Sequence, residues 1–314
     1  MERQRLSSRP VDASLFDSAF LSKLEQLYLL SRKVFRGEQH AERRSRQTGS
    51  SMEFADYRNY TSGDDLRTVD WNVFGRLNRL FVKLFEAEQD LHVSILLDCS
   101  ASMRWTSDRA PEGALSKFDH ARRLAAALAY VALANQDRVN LFPFGTGLGA
   151  DLGFVRGKQQ FHAVLDFLKR VPLSGGPTLM LPCFRSFSRK LKRRGLALVL
   201  TDLFDPEAAD ALTFLRQQQF EVVALQVLDP ADLDPALAGA VGEDLRLVEA
   251  ESGVEFDVLA DGRLLEGYRT AMAEFVGDVE ANCRKRGIGF IQTTTEVPFE
   301  ELVMRVMRER RIVK

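Results

Sequence analysis

The run Asp98-Cys99-Ser100-Ala101-Ser102 stands directly behind the apolar stretch Val93 to Leu97. One carboxylate and two hydroxyls, spaced by two, are thereby set at the C-terminal end of a strand apolar enough to be buried, where open α/β sheets bind ligands. All three are hard oxygen donors, which suit Mg²⁺ or Mn²⁺, whereas zinc sites draw on His or Cys. Two distant segments add the same chemistry. Ser174-Gly175-Gly176-Pro177-Thr178 is a flexible loop ahead of a helix and can present the Thr178 hydroxyl, and the strand Leu196 to Thr201 runs into Asp202. Two carboxylates roughly neutralise a divalent ion, while hydroxyls and water leave it electrophilic toward an incoming anionic oxygen. The competing reading is structural: Ser100, Ser102 and Thr178 cap helices or turns and Asp202 satisfies backbone donors.

Positioning these groups requires a particular set of elements. Apolar spacing predicts a helix over Ser14 to Arg36, then a polar, Arg-rich loop from Gly37 to Gly49. Beyond a charged, aromatic block from Glu53 to Glu88, in which only a strand at Leu80 to Phe85 is assigned, short apolar strands alternate with amphipathic helices. Strands are expected at 92–97, 138–144, 196–201, 221–228 and 290–293. Helices are expected at 117–135, 159–170, 179–194, 207–218, along a stripe from Leu265 to Cys283, and at 299–310. The helix from Lys117 is the clearest, with Phe118, Ala121, Leu124, Ala125, Leu128 and Ala132 on one face and Ser116 with Asp119 as a capping-box-like start. This alternation predicts a doubly wound, mostly parallel sheet with helices on both faces. Leu245 to Ala250 and Val254 to Leu259 read as a hairpin, about 240–260, inserted at the sheet edge. The expected division is an N-terminal extension, 1–87, and an α/β domain, 88–314.

Composition excludes several classes. A 314-residue chain with a formal net charge of −1 lacks the electrostatic signature of a dedicated nucleic-acid or anionic-membrane surface. No signal-peptide h-region or spanning apolar stretch is evident, so a cytoplasmic protein is expected. Cys99, Cys183 and Cys283 form no CxxC pair, and alternation turns Cys99 away from Asp98 and toward packing. There is no GxSxG, HExxH or GxxxxGK[ST] motif, and the four histidines are scattered. Gly145-Thr146-Gly147-Leu148-Gly149 lacks dinucleotide-fingerprint spacing and reads as a plain turn. The Arg189 to Arg194 cluster reads as a solvated helix end.

Asp98, Ser100, Ser102, Thr178 and Asp202 resemble, in order and context, the metal-ion-dependent adhesion site of von Willebrand factor A domains. In that family a DxSxS loop, a Thr and a further Asp hold Mg²⁺ or Mn²⁺. Phe54-Ala-Asp-Tyr57-Arg58-Asn-Tyr60, Gly63-Asp64-Asp65-Leu-Arg67, Asp70-Trp71 and Val82-Lys83-Leu-Phe85-Glu86 resemble a second, more specific pattern, the bacterial "domain of unknown function 58" family, whose members carry a von Willebrand A-like, Rossmann-like domain. The resemblance implies partnership with MoxR-type AAA+ ATPases. The expected function is divalent-cation-dependent protein binding, with the metal on Asp98, Ser100, Ser102, Thr178 and Asp202 capturing a carboxylate of a client or of the ATPase. A metal-dependent phosphatase or hydrolase using the same oxygen cage is the alternative, although no general base is evident. Asp64, Asp65, Arg67 and Trp71 are candidates for a second partner surface, or for a salt-bridged plug that holds the N-terminal segment.

Overall fold

The computed structural model describes residues 15–35, 48–86, 91–106, 113–238, 244–248 and 254–312. Most of the expected Gly37 to Gly49 loop and the expected Glu251-Ser252-Gly253 turn lie outside them. The chain divides into two compact units, one built from residues up to Tyr28 together with Leu91–Lys314, the other from Leu29–Asp90.

The larger unit contains helix α1 (Ser18–Phe35) as far as Tyr28. Its strands β3 (His92–Asp98), β4 (Arg138–Phe144), β5 (Val155–Arg156), β6 (Leu196–Thr201), β7 (Glu221–Leu228) and β10 (Gly289–Thr294) form one sheet in the order β10-β7-β6-β3-β4-β5. All neighbours are parallel except the short edge pair β4 and β5. The helices are α3 (Lys117–Ala134), α4 (Phe161–Arg170), α5 (Met180–Lys190), α6 (Ala208–Gln217), the single turn α7 (Pro230–Leu233), α8 (Gly262–Lys285) and α9 (Phe299–Ile312). The expected α/β alternation is present, and the layout is compatible with a Rossmann-like fold.

Strand alternation divides the apolar side chains between two cores. Val93, Ile95 and Leu97 join Leu198, Leu200, Val223 and Leu225 beneath α3, whereas Leu96, Val199, Val222 and Ala224 meet Phe184, Phe187 and Leu212 on the opposite face. Both faces of every central strand are thus covered, which explains the uninterrupted apolar runs in the sequence. Helix α3 is buried nearly all round, and its run of small residues, Ala121, Ala125, Ala126, Ala127 and Ala129, lets neighbouring elements approach closely. At its start Ser116 Oγ accepts the Asp119 amide at 3.1 Å, but Asp119 pairs with Arg122 instead of closing the expected box. A reciprocal capping box does occur at α7, between Asp229 and Asp232.

Two expectations are corrected. The hairpin is real, with β8 (Asp244–Val248) antiparallel to β9 (Glu255–Leu259), but it forms its own two-stranded sheet, and the edges of the main sheet are β10 and β5. The compact units divide at Asp90, close to the expected boundary at residue 87, but residues up to Tyr28 belong with the larger unit. Phe20, Leu24 and Leu27 of α1 are buried in the same core as α3 and α9, because an amphipathic helix with such a stripe needs an apolar surface to cover it.

The smaller unit pairs β1 (Thr48–Asn59) with β2 (Phe81–Glu86) in an antiparallel ribbon and carries α2 (Trp71–Leu77) between them. Strand β1 falls in the block left unassigned from the sequence. Its register shifts at Thr48/Glu53 and Phe54/Asp56 break the simple alternation that would have revealed it.

Candidate functional site

Chain order reverses beside β3, which lies between β6 and β4, so the connections leaving β3 and β6 run to opposite sides. A crevice opens at such a switch point, outside the carboxyl ends of the strands. Asp98 closes β3 and is fully buried. Its Oδ1 accepts the Ser100 amide at 2.8 Å, and its Oδ2 accepts the Thr201 hydroxyl at 2.6 Å. The register explains the second contact: Leu97 lies beside Leu200 in the parallel pair, so Asp98 falls beside Thr201. Ser100 Oγ and Ser102 Oγ lie 3.0 Å apart, where the chain turns into a short 3₁₀ segment over Ser102–Arg104. Cys99 points the other way, with its thiol in the α3-side core, as alternation predicts.

The Thr178 loop is anchored at both ends. The Ser174 amide donates to the Cys99 carbonyl and the Leu179 amide to the Gly145 carbonyl, which draws the loop to the ends of β3 and β4. Gly145 makes this approach possible, since a Cβ there would stand 2.8 Å from Ser174 Cβ. The segment read as a plain turn therefore has a specific packing task. Asp205 ties the loop to β6: its Oδ2 accepts the Met180 amide at 2.7 Å and its Oδ1 the Glu207 amide at 2.7 Å. Thr178 itself is buried.

Asp202, just past β6, is buried as well. Its Oδ2 is 2.9 Å from the ammonium of Lys117, the first residue of α3, and its Oδ1 accepts the Phe204 amide at 3.2 Å. Lys117 also lies 3.2 Å from Asp232 Oδ2. Between Asp202 and Phe204, Leu203 adopts the left-handed conformation, φ 64°, while fully buried. That conformation is costly for a residue with a branched side chain and is typical of sharp turns at functional sites.

The electrostatics follow from burial. Loss of water pushes the Asp98 carboxyl up to about 7, and the negative charge of Asp202 adds to this, against the stabilising hydrogen bonds from Thr201 and Ser100. Burial also works to lower the Lys117 ammonium, but Asp202 and Asp232 together outweigh it and hold the group above its ordinary value. Two buried carboxylates that repel one another beside a pair of hydroxyls form an oxygen donor set that a divalent ion would relieve. Among the described residues no cluster of three or more His, Cys, Asp or Glu side chains is placed to hold a metal. An ion here would rest on Asp98 and Asp202 together with Ser100, Ser102 and Thr178.

Sequence reasoning missed Lys117, Thr201, Gly145, Asp205 and Asp232. A lysine at the first position of the helix was a usable signal for Lys117, because cations are disfavoured at that end of the helix dipole. The others follow only from strand register and loop packing.

The second candidate surface lies in the smaller unit. Asp64 accepts from Arg58 at 2.8 Å and from the Thr61 amide at 2.8 Å, and Asp65 caps the short turn at Leu66–Thr68. Asp70 caps α2 and accepts the Tyr57 hydroxyl at 2.7 Å. Arg67 sits in the turn capped by Asp65, while Trp71 is exposed and packs edge-on against Phe74. Much of the conspicuous charge is thus used in local turns. The basic cluster after α5 is partly used in the same way, with Arg194 donating to the carbonyls of Ser188 and Leu191 and lying over the Phe220 ring.

Sheet order and donor set together describe a mostly parallel α/β protein, compatible with a Rossmann-like fold, with buried carboxylates and hydroxyls at its topological switch point. The chain belongs to the family described as protein of unknown function DUF58, whose model matches residues 56–275. It is 25% identical over 305 residues to "Uncharacterized protein Rv1480" of Mycobacterium tuberculosis, covering 94% of this chain and 91% of that one. "Uncharacterized protein MAV169" of Mycobacterium avium is 28% identical over 123 residues, 39% of this chain and 70% of its own. Among solved structures, the conserved hypothetical protein BatB from Bacteroides thetaiotaomicron aligns with TM-score 0.44 and 18% identity over 71% of this chain and 98% of that one. An aerotolerance-related membrane protein from Bacteroides fragilis aligns with TM-score 0.44 and 16% identity over 71% and 99% of the two chains. Among the described residues no helix is long and apolar enough to cross a membrane.

Proposed function

We propose that this chain is a divalent-cation-dependent protein-binding module. Mg²⁺ or Mn²⁺ on Asp98, Ser100, Ser102, Thr178 and Asp202 accepts a carboxylate from a partner, in the manner of a von Willebrand A-type adhesion site. The observation that carries the reading is the burial of two carboxylates, Asp98 and Asp202, at the ends of neighbouring parallel strands, with the paired Ser100 and Ser102 hydroxyls 3.0 Å apart in the loop that follows Asp98. A second feature supports protein binding over hydrolysis. Each of the three ligand segments carries an exposed large apolar side chain shortly after its donor: Trp105 after Ser102, Leu179 after Thr178 and Phe204 after Asp202. Such side chains suit an apolar partner segment that delivers an acidic residue, since interface cores favour aromatic and aliphatic anchors. A MoxR-type AAA+ ATPase in the cytoplasm, or its client, is the proposed partner.

Calorimetric titration of Mg²⁺ and Mn²⁺ into the wild type and Asp98→Ala, with and without a MoxR-type ATPase, tests this. Uptake by the wild type that is lost in Asp98→Ala is expected, and tighter uptake with the partner present. Absence of uptake under both conditions overturns the reading. Mg²⁺-dependent phosphatase or esterase turnover abolished by Asp98→Ala would replace it with the hydrolase.

A further inference from the structure

Lys117 is a second residue at this site, besides the left-handed Leu203, whose position breaks local rules. It opens α3, at the helix end where the backbone dipole disfavours a cation. It is also fully buried, which strongly disfavours an ammonium unless it is paired. The pairing is specific. The ammonium bridges Asp202 Oδ2 at 2.9 Å and Asp232 Oδ2 at 3.2 Å, and lies 5.0 Å from the centre of the Phe204 ring. Asp232 is itself held in place, because its Oδ2 accepts the Asp229 amide at 2.8 Å in the capping box of α7. The Asp202 carbonyl accepts from Gln226 Nε2 at 3.1 Å, which fixes the backbone that carries the shared carboxylate. A local rule broken at a buried position whose partners are themselves hydrogen-bonded in place points to a functional constraint.

Resting on the metal-site reading above, we propose that Lys117 is a resident counter-ion that competes with the divalent ion for Asp202. It keeps metal affinity low until a partner's carboxylate arrives to complete the coordination. The competition is electrostatic: a charge on Asp202 that is shared with Lys117 attracts a second cation less, and Asp232 sets how much of Lys117 is left for Asp202. Lys117 is therefore a positioning residue that acts through Asp202 and need not touch the metal.

Two substitutions should act in opposite directions. Lys117→Met together with Asp232→Asn removes one charge of each sign and frees Asp202, so Mg²⁺ should bind about tenfold more tightly than to the wild type, a change in the range expected of a close buried charge pair. Asp232→Asn alone leaves Lys117 wholly to Asp202, and Mg²⁺ should bind more weakly. The measurement is calorimetry with Mg²⁺ alone on the full chain, with thermal melts to confirm folding. If the double variant does not fold, Asp232→Asn carries the test. A gain of affinity in one variant and a loss in the other is not what a merely structural lysine produces. Unchanged or uniformly weakened binding in both, with the wild type still binding Mg²⁺, overturns the role of Lys117 and leaves the metal site standing. Failure of the wild type to bind Mg²⁺, with or without a partner, overturns both.

Discussion

Asp98 has no solvent contact, and its charge is supported by hydrogen bonds from Thr201 and Ser100 and opposed by burial and by Asp202. The consequence for stability has a definite sign. In the unfolded chain the group ionises near ~4, and in the folded protein at about 7. Between those limits the native state holds more protons than the unfolded state, so the contribution of Asp98 to stability falls as pH rises from ~4 to ~7 and is flat beyond. Thermal melts in metal-free buffer from pH 5 to 8 should show this decline. Asp98→Asn should flatten it, and an identical slope in that variant would show that Asp98 does not titrate in this window. Adding Mg²⁺ at pH 8 should restore stability to the wild type and not to the variant, since binding to the native state alone stabilises it.

At the scale of elements, the site depends on how closely separate loops approach. The Thr178 loop can hook onto Cys99 and Gly145 because Gly145 has no side chain. Gly145→Ala inserts a methyl 2.8 Å from Ser174 Cβ. Overpacking of this kind costs about 1–3 kcal/mol, and displacing the loop should weaken Mg²⁺ binding in calorimetry. Gly147→Ala, two residues on, meets nothing within 4 Å and should leave both stability and metal uptake unchanged. Equal behaviour of the two variants would remove Gly145 from the account. The end of β6 belongs to the same scale: alternation turns Thr201 to Asp98 and Asp202 to Lys117, and the chain then turns away at the left-handed Leu203.

For the molecule as a whole, the larger unit is assembled from both ends of the chain. Phe20 of α1 packs at a tilt against Phe299 of α9, with ring centres 4.8 Å apart, and Leu24 is fully buried in the core beneath the sheet. Leu24→Ala should therefore cost about 2–5 kcal/mol, the usual range for a core leucine, and chemical denaturation should report it as a loss for the unit that contains the site. A surface helix outside the core would lose far less. In the smaller unit Trp71 is 58% exposed, so Trp71→Ala should change stability by about 0.5 kcal/mol or less. Weakened capture of a MoxR-type ATPase by that variant would mark the α2 face as a partner surface, and unchanged capture would exclude Trp71 from it.

Much of the architecture is legible in the sequence because it is written in local periodicity. The strand at Arg138–Phe144 and the core of α3 need only alternation and a 3.6-residue stripe, and the donor run after β3 needs only a strand end. Family motifs likewise lie along contiguous residues. What periodicity cannot encode is which loops meet. Sheet order brings Asp98 beside Thr201 from more than a hundred residues away, and strand alternation says nothing of that partner. The hairpin of β8 and β9 has the sequence of an edge strand pair, yet it pairs only with itself, because edge positions are assigned by competition among all strands. Lys117 is the clearest case. On its own it is a helix residue at the wrong end of a dipole, and only the packing of α3 against the ends of β6 and β7 turns it into the cation that Asp202 and Asp232 share. Local spacing determined the oxygen donors of this protein, and tertiary contact decided the charge they work against, because electrostatic pairing depends on distance in space rather than along the chain.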